Sequence, residues 1–535
     1  MLNSIGIHNL KSLKDTDNIT LGKLTVLLGR NSIGKSTFLR TFALLKQSIS
    51  ADRVKPIIWY TSDLVDFGSF EDAVSRENTK NEDQKQHDIG FDFDFSLSKD
   101  QLSQEVYFRG YHQISISNSL NVHMEVAFDA AGNLTTTYKI ADWVITLKYT
   151  RDKEQEYTKK IRLTVNDYDF SNSYVCSPVF SSGELVPSIL EPYERNQKAQ
   201  YPRFFDRILR EKEKNDPVTK ELSRKLKVGR ISDKTIYGFS RALRQSISTK
   251  SDFASIFQKK ISQKKLMKKQ FDQLGSGKAE YVDGLYRLCG LSIVPELVFS
   301  ANQELNKYFS QVQYIAPVRA TAQRYYRSQD LAVNSINPKG QNVPAMLSSM
   351  NQDESKAWKK WTKDHFNISF DIETSGDNDS IFLTSYNCTG EKKSNLSDVG
   401  FGYSQILPIL LYVWRQNRTR KNRSDYDADF GTTTILIEQP ELHLHPALQA
   451  TEMHALDELL SESNNVRMMI ETHSEYMVKQ IGHDIANNLI SAKDVKILIF
   501  DDQDNDGFAS ISPKKFTEQG YFENWPIGFF QPDYR

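Results

Sequence analysis

The residues whose types and spacing can do chemistry begin early in the chain, at Gly29. The run Gly29-Arg30-Asn31-Ser32-Ile33-Gly34-Lys35-Ser36-Thr37 matches GxxxxGK[ST]. Glycines let such a loop wrap so that its N–H groups converge on phosphate oxygens, and the following helix adds the positive end of its dipole. In that geometry Lys35 reaches the β- and γ-phosphates and the Ser36 hydroxyl ligates Mg²⁺, while Gly29, Asn31, Ser32, Gly34 and Thr37 complete the cradle. A chance glycine-rich turn would lack an apolar strand before it and an apolar helix after it. Here LTVLL precedes the loop and TFLRTFALL follows it, so ATP with Mg²⁺ is the expected ligand.

Three later stretches carry chemistry that would complete such a site. Thr434-Ile435-Leu436-Ile437-Glu438-Gln439-Pro440-Glu441 is an apolar run delivering the carboxylate of Glu438 at its end, an arrangement that holds Mg²⁺ through its water shell. Gln439 follows. An amide orients a water but cannot accept its proton, so Gln439 argues for slow hydrolysis, with Glu441 and Glu471 as the nearby carboxylates able to substitute. Leu396 to Gln405 places Gly402, Ser404 and Gln405 at the start of the apolar helix ILPILLYVW, a small-residue anion cap in which Pro408 suits a first turn. Met469-Ile470-Glu471-Thr472-His473-Ser474 ends a strand in a histidine about 35 residues after Glu438. A cap or a terminal histidine taken alone is more often structural; the order and spacing of all four favour one shared site.

The elements that must hold these residues can be read from patterning. Residues 1–47 read as a hairpin, a strand from Leu24 to Leu28, the glycine loop and a helix from Lys35. Residues 57–170 alternate apolar and polar side chains in FDFDFSLS, QISISN, VHMEVAFD, WVITLKYT and KIRLTV, with a turn at Ala131-Gly132-Asn133, which predicts an antiparallel β-arm. Residues 190–285 are rich in Lys, Glu, Arg and Gln, with Phe253, Ile256, Phe257, Ile261, Met267 and Phe271 near helical spacing. Short apolar runs at Gln311–Ile315, Thr433–Ile437, Val466–Ile470 and Val495–Phe500 predict buried strands. The expected division is an N-terminal lobe over 1–185, a helical insertion over 186–288 and a C-terminal lobe over 289–535.

At 535 residues the chain can bury two or three cores. Its 68 basic and 68 acidic residues cancel, but residues 201–270 hold 20 Lys/Arg against 7 Asp/Glu, a local +13. That split predicts one basic surface, a candidate for nucleic acid, with Lys260, Lys264 and Lys268 on one face if the segment is a single helix. Three widely spaced cysteines, Cys176, Cys289 and Cys388, support neither a disulfide framework nor a zinc knot. No N-terminal apolar h-region and no apolar run of ~18–20 residues is evident, so a cytoplasmic protein without a membrane partner is expected.

In order and wording the four motifs resemble the SMC/RecF/OLD-like branch of ABC ATPases, and most closely the PtuA-type ATPases of Septu and retron anti-phage systems. The resembling stretches are IGIHNLKSL ahead of GRNSIGKSTFLR, then VDFGSFEDAV, YIAPVRATAQRYY, DVGFGYSQILPILLYVW, ILIEQPELHLHPALQA, ETHSEYMVK and the terminal WPIGFFQPDYR. The resemblance implies an α/β P-loop NTPase of ABC/SMC-head type with an antiparallel β-arm and a basic helical insertion. It implies that Glu438 stands where Asp is usual, and Gln439 where the water-polarising glutamate is usual. It further implies that Gly402, Ser404 and Gln405 close on the γ-phosphate held by a second copy of the chain. On the same basis LHLHP is the D-loop region at the contact between the two copies, and His473 is the switch histidine. The implied assembly is a homodimer or higher homo-oligomer that recruits a separate HNH nuclease of the PtuB type. In retron versions a reverse transcriptase and its branched RNA–DNA product (msDNA) would restrain it. A RecF/SMC-like DNA-repair ATPase and an OLD-like ATPase-nuclease are the alternative readings.

Two features suggest metal sites and are better read otherwise. His443 and His445, with His454 nearby, lack a third ligand at clear spacing. Asp502 to Gly507 begins like an EF-hand loop, but its twelfth position is Pro513, and too few residues follow for a Toprim-sized domain. A polar hairpin turn is the expectation there.

Overall fold

Apolar runs too short for a helix and too continuous for a half-exposed strand form the central sheet of the protein. A computed structural model describes residues 2–50, 56–75, 88–97, 119–151, 161–179, 183–190, 192–195, 215–244, 249–328, 333, 335–387, 390–421, 431–502 and 507–522. Strands Val312–Ile315, Thr433–Glu438, Val466–Glu471, Leu24–Gly29 and Val495–Asp501 lie side by side in that order, all parallel, and Ser510–Lys514 adds an antiparallel edge. The strand before the glycine loop therefore sits among strands separated from it by more than four hundred residues. Leu27, Leu436, Met469 and Leu498 face one core, while Val26, Ile435, Ile437, Ile470 and Ile497 face another. Burial on both faces is why these runs show no alternation.

The first core is closed by the helix Lys35–Ser50 and by a large antiparallel sheet. That sheet runs from Tyr168–Asp169 through Arg162–Val165, Trp143–Tyr149, Leu134–Ile140, Leu120–Phe128 and Ile89–Leu97 to Leu2–Leu10 and Leu13–Asp15. Phe91, Phe93 and Phe95 alternate inward along one strand and Met124 and Val126 along the next. The expected turn near Gly132 is present, with Asn133 N–H donating to Asp129 Oδ1 at 2.8 Å. The expected strand at QISISN lies outside the described residues. The second core is filled by helices Phe401–Lys421, Pro446–Ser461 and Glu475–Ala486 and by a smaller antiparallel sheet around Ile368–Ser375 and Asn378–Asn387.

The insertion is helical over Pro217–Leu226, Asp233–Arg244, Lys250–Ser262 and Lys265–Asp272. Phe253, Phe257, Ile261, Met267 and Phe271 are buried in it. The chain leaves the helical path at Gln263 and Lys264, so Lys260, Lys264 and Lys268 do not share one continuous helix face. Lys259, Lys264, Lys265, Lys268 and Lys269 are nonetheless exposed. The helix Lys278–Ser310 runs unbroken across the boundary expected at 288/289 and packs on the antiparallel sheet, where Trp143 Nε1 donates to the Tyr286 carbonyl at 3.1 Å. By length and composition this helix alone among the described residues could span a membrane, but most of that stretch is buried within the protein, as in a core helix.

Candidate nucleotide site

The glycine loop begins where its strand meets Phe500 of the neighbouring strand. A Cβ on Gly29 would lie 2.4 Å from the Phe500 carbonyl oxygen, and Gly29 has φ +152°. Gly34 has φ +110°, and its Cβ would come within 2.7 Å of Ser12 Oγ. Ser32 adds φ 63° between them. Positive φ at these three positions is the kind of backbone from which anion nests are built, and the loop lies at the mouth of the helix that starts at Lys35. Lys35 is 2% exposed, and its ammonium donates to the carbonyls of Gly29 at 2.9 Å and Arg30 at 2.6 Å. Burial lowers its pKa against the charges of Glu471 and Glu441, which raise it.

Sheet register brings the carboxylates to this loop. Glu438 is the direct neighbour of Glu471, and Glu471 is the neighbour of Leu27 on the strand that feeds the loop. Ser36 Oγ donates to Glu471 Oε1 at 2.8 Å. Glu471 Oε2 is buried without a hydrogen-bond partner among the described residues. Burial, with the Glu438 charge behind it, pushes the Glu471 carboxyl up to about 7. Glu438 is gripped from the other side. Arg40 Nε donates to its Oε1 at 2.7 Å and Arg40 Nη2 to its Oε2 at 2.6 Å, while the Tyr314 hydroxyl reaches Oε1 at 2.9 Å. Ser36 and Arg40 are four residues apart and so lie on one helix face, which presents both to the carboxylate pair.

Gln439 has φ 44°, and its N–H donates to the Glu471 carbonyl at 2.8 Å, so the chain turns sharply away from the sheet just after Glu438. Glu441 in that turn is committed to backbone support. Its carboxylate accepts the His473 N–H at 2.7 Å and the Thr472 hydroxyl at 2.9 Å, and burial raises its pKa. His473 is half-buried, and burial together with the Lys35 charge lowers its pKa, favouring the neutral ring.

The expected anion cap opens the helix Phe401–Lys421. Phe401 is 47% exposed at its tip, whereas Ser404 and Gln405 are buried. Ser404 Oγ donates to the Phe401 carbonyl at 2.7 Å, and Gly402 packs against the His443 backbone. Gln405 is bound within its own chain, accepting the Arg319 N–H at 3.2 Å. Pro408 is the eighth residue of this helix and not in its first turn, because the helix starts at Phe401; its ring packs on Gly340. Arg319 links the cap to the carboxylate turn, since its Nη2 donates to the Glu438 carbonyl at 2.8 Å while its backbone meets Gln405.

Arg40, Tyr314 and Arg319 belong to the site; they lie within GRNSIGKSTFLR and YIAPVRATAQRYY, stretches that carry the resemblance, but residue types and spacing alone assign none of them a role. Among the weaker candidates, His443 is exposed with its ring edge on Phe401, His445 caps the next helix and His454 pairs with Asp484 at 2.8 Å. No group of three metal-ligating side chains occurs among the described residues. The turn residues 503–506 lie outside the described residues, though the strands on either side pair as a hairpin.

Donor chemistry at the loop fits a magnesium nucleotide: backbone N–H groups of a glycine-rich turn, a buried ammonium, a hydroxyl and a carboxylate oxygen without a partner among the described residues. A glycine nest after a central parallel strand, with carboxylates at the ends of neighbouring strands, defines a P-loop ATPase of α/β fold. Residues 1–478 match the family model described as AAA ATPase domain, and the chain belongs to that family. No curated protein matches it in sequence. Among solved structures it is similar to an SMC head bound to the C-terminal winged-helix domain of ScpA, at 10% identity over 96% of this chain and 97% of that one, with a TM-score of 0.33. It is also similar to the SMC head domain from Thermotoga maritima (8% identity, 96% and 98% covered, TM-score 0.31). A third is the Smc head domain with a coiled coil and joint from Pyrococcus yayanosii (12% identity, 97% and 98% covered, TM-score 0.33). The strand order of the central sheet describes the fold.

Proposed function

We propose that this chain is the ATP-binding regulatory component of a cytoplasmic anti-phage defence complex of the PtuA type. It works as a homodimer or higher oligomer and controls a separate HNH nuclease, in retron versions together with a reverse transcriptase and its msDNA. The observation that carries this reading is Gln439, an amide that follows Glu438 beside an otherwise well-equipped phosphate cradle. Such a site suits holding ATP better than turning it over. The wording of the motifs supports the particular system.

In this reading the N–H groups of Gly29, Asn31, Ser32, Gly34 and Thr37 bind the phosphate chain, and Lys35 reaches the outer phosphates. Ser36 and Glu438 hold Mg²⁺, which when bound neutralises phosphate charge and polarises the terminal P–O bonds. Gly402, Ser404 and Gln405 of a second copy cap the γ-phosphate, and neutral His473 reports its presence. Gln439 orients a water. Glu471, whose second oxygen has no partner among the described residues, is better placed than the committed Glu441 to take up its proton.

The expected outcome for the purified chain is ATP-dependent dimerisation in analytical ultracentrifugation and no DNA cleavage, with cleavage appearing only when an HNH protein is co-purified. Metal-dependent cleavage by the chain alone, lost in Asp504→Ala, would replace this reading with an OLD-like nuclease. Exposed lysines of the insertion favour a second reading, a RecF/SMC-like DNA-repair ATPase; DNA-stimulated hydrolysis without any nuclease partner would establish it.

A further inference from the structure

We infer that Arg40 is a built-in counter-ion that competes with the divalent metal for Glu438, so that its side chain sets how tightly the site takes up metal. The inference rests on reading Glu438 as a metal ligand. Arg40 covers both oxygens of that carboxylate in a fork, at 2.7 and 2.6 Å, and Tyr314 adds a third donor at 2.9 Å. The Glu438 side chain is 2% exposed. Two adjacent buried carboxylates, Glu438 and Glu471, would repel each other without a cation between or beside them. Ser36 supplies only a neutral hydroxyl to Glu471, so the positive charge directly bonded to this pair is Arg40.

Arg40 and Tyr314 occupy three of the roughly four lone-pair sites of the Glu438 carboxylate, so a divalent ion held there, directly or through water, would share its oxygens with them. Metal loading therefore trades a bidentate, charge-assisted interaction for metal coordination, and the trade lowers apparent metal affinity. Arg40 is a positioning residue in this scheme. It keeps Glu438 ordered without metal and is released from at least one oxygen when metal enters. Its place one helical turn beyond Ser36 means that any movement of the helix start on phosphate binding is felt directly at the fork.

The test is Mn²⁺ binding, followed by electron paramagnetic resonance on the full chain saturated with a non-hydrolysable ATP analogue. Arg40→Met keeps the stem and removes the charge; it is expected to tighten Mn²⁺ about tenfold. Arg40→Lys keeps the charge without the fork and is expected to tighten it by less. Unchanged or weaker Mn²⁺ binding in a folded Arg40→Met chain, with Glu438→Gln clearly weakened, overturns the competition while leaving Glu438 a ligand. A Glu438→Gln chain that binds Mn²⁺ like the wild type removes the ligand assignment, and the inference falls with it.

Discussion

Gln439 decides the chemistry at the scale of single residues. Its N–H is tied to the Glu471 carbonyl, and its φ of 44° fixes the turn, so the side chain starts from a constrained backbone. Replacement by glutamate puts a carboxylate where a proton acceptor is missing. General-base assistance is commonly worth ~10²–10⁴-fold. Gln439→Glu is therefore expected to raise steady-state ATP turnover by at least about tenfold, measured by phosphate release. A fall in rate would show that the amide is itself part of the working geometry. The same substitution adds a third acid near Glu438 and Glu471, so the gain should grow with pH as the new group ionises. Glu441 does not fill this role, because both of its oxygens already hold the backbone and hydroxyl of the His473 strand end.

Secondary-structure elements place the site, and two of their contacts are open to direct test. The N-terminal strand and its neighbours hold His8 between two carboxylates, with Nε2 2.9 Å from Asp92 and Nδ1 2.8 Å from Asp15. Both ring nitrogens must carry protons to donate to both. The hydrogen bond and charge of Asp92, with Asp15 in support, raise the His8 pKa in the folded state despite partial burial. A raised folded pKa contributes stability that is complete below the unfolded value of about 6.5 and is lost as pH rises through the folded value. The stability difference between wild type and His8→Asn, from urea unfolding, is expected to shrink as pH climbs from 6 to 9. A constant difference would mean that the ring is only packing. On the opposite side of that sheet, a Cβ on Gly290 would stand 2.9 Å from Val165 Cγ1 and 3.0 Å from Trp143 Cδ1. Gly290→Val should cost about 1–3 kcal/mol by overpacking the long helix against the sheet. An unchanged urea midpoint would show that the helix can shift away at no cost.

At the scale of the whole molecule, charge is balanced in sum and unbalanced in place. The lysines at 259, 264, 265, 268 and 269 project from two short helices and the bend between them, forming a basic patch and not a single stripe. If this patch contacts nucleic acid, affinity must follow counterion release. About four phosphate contacts to a single strand would lower affinity roughly fiftyfold between 50 and 200 mM salt. Fluorescence anisotropy with a labelled oligonucleotide reads this slope, and binding indifferent to salt would assign the patch to another partner. Reversing Lys264 and Lys268 to glutamate should flatten the slope without touching ATP binding, because the short helices that carry or flank them pack on Pro217–Leu226 and Lys278–Ser310.

Strand, loop and helix around Lys35 were readable from the chain alone, since a phosphate nest is made by consecutive residues whose backbone angles their own side chains dictate. The four buried parallel strands were equally readable, because a strand covered on both faces has to be apolar throughout. Contacts that decide how the site behaves were not. Arg40 meets Glu438 across 398 residues of sequence and Ser36 meets Glu471 across 435, and neither pair carries a local pattern that names its partner. Likewise, nothing local announces that Lys278–Ser310 is one helix, since its first and last turns are largely polar, its middle is apolar and Pro295 lies within it, and packing against the sheet accompanies its continuity. Residue types and short-range spacing set the chemistry on offer. Strand order in the central sheet decides which of those groups touch, because it alone brings distant chain segments within hydrogen-bonding reach.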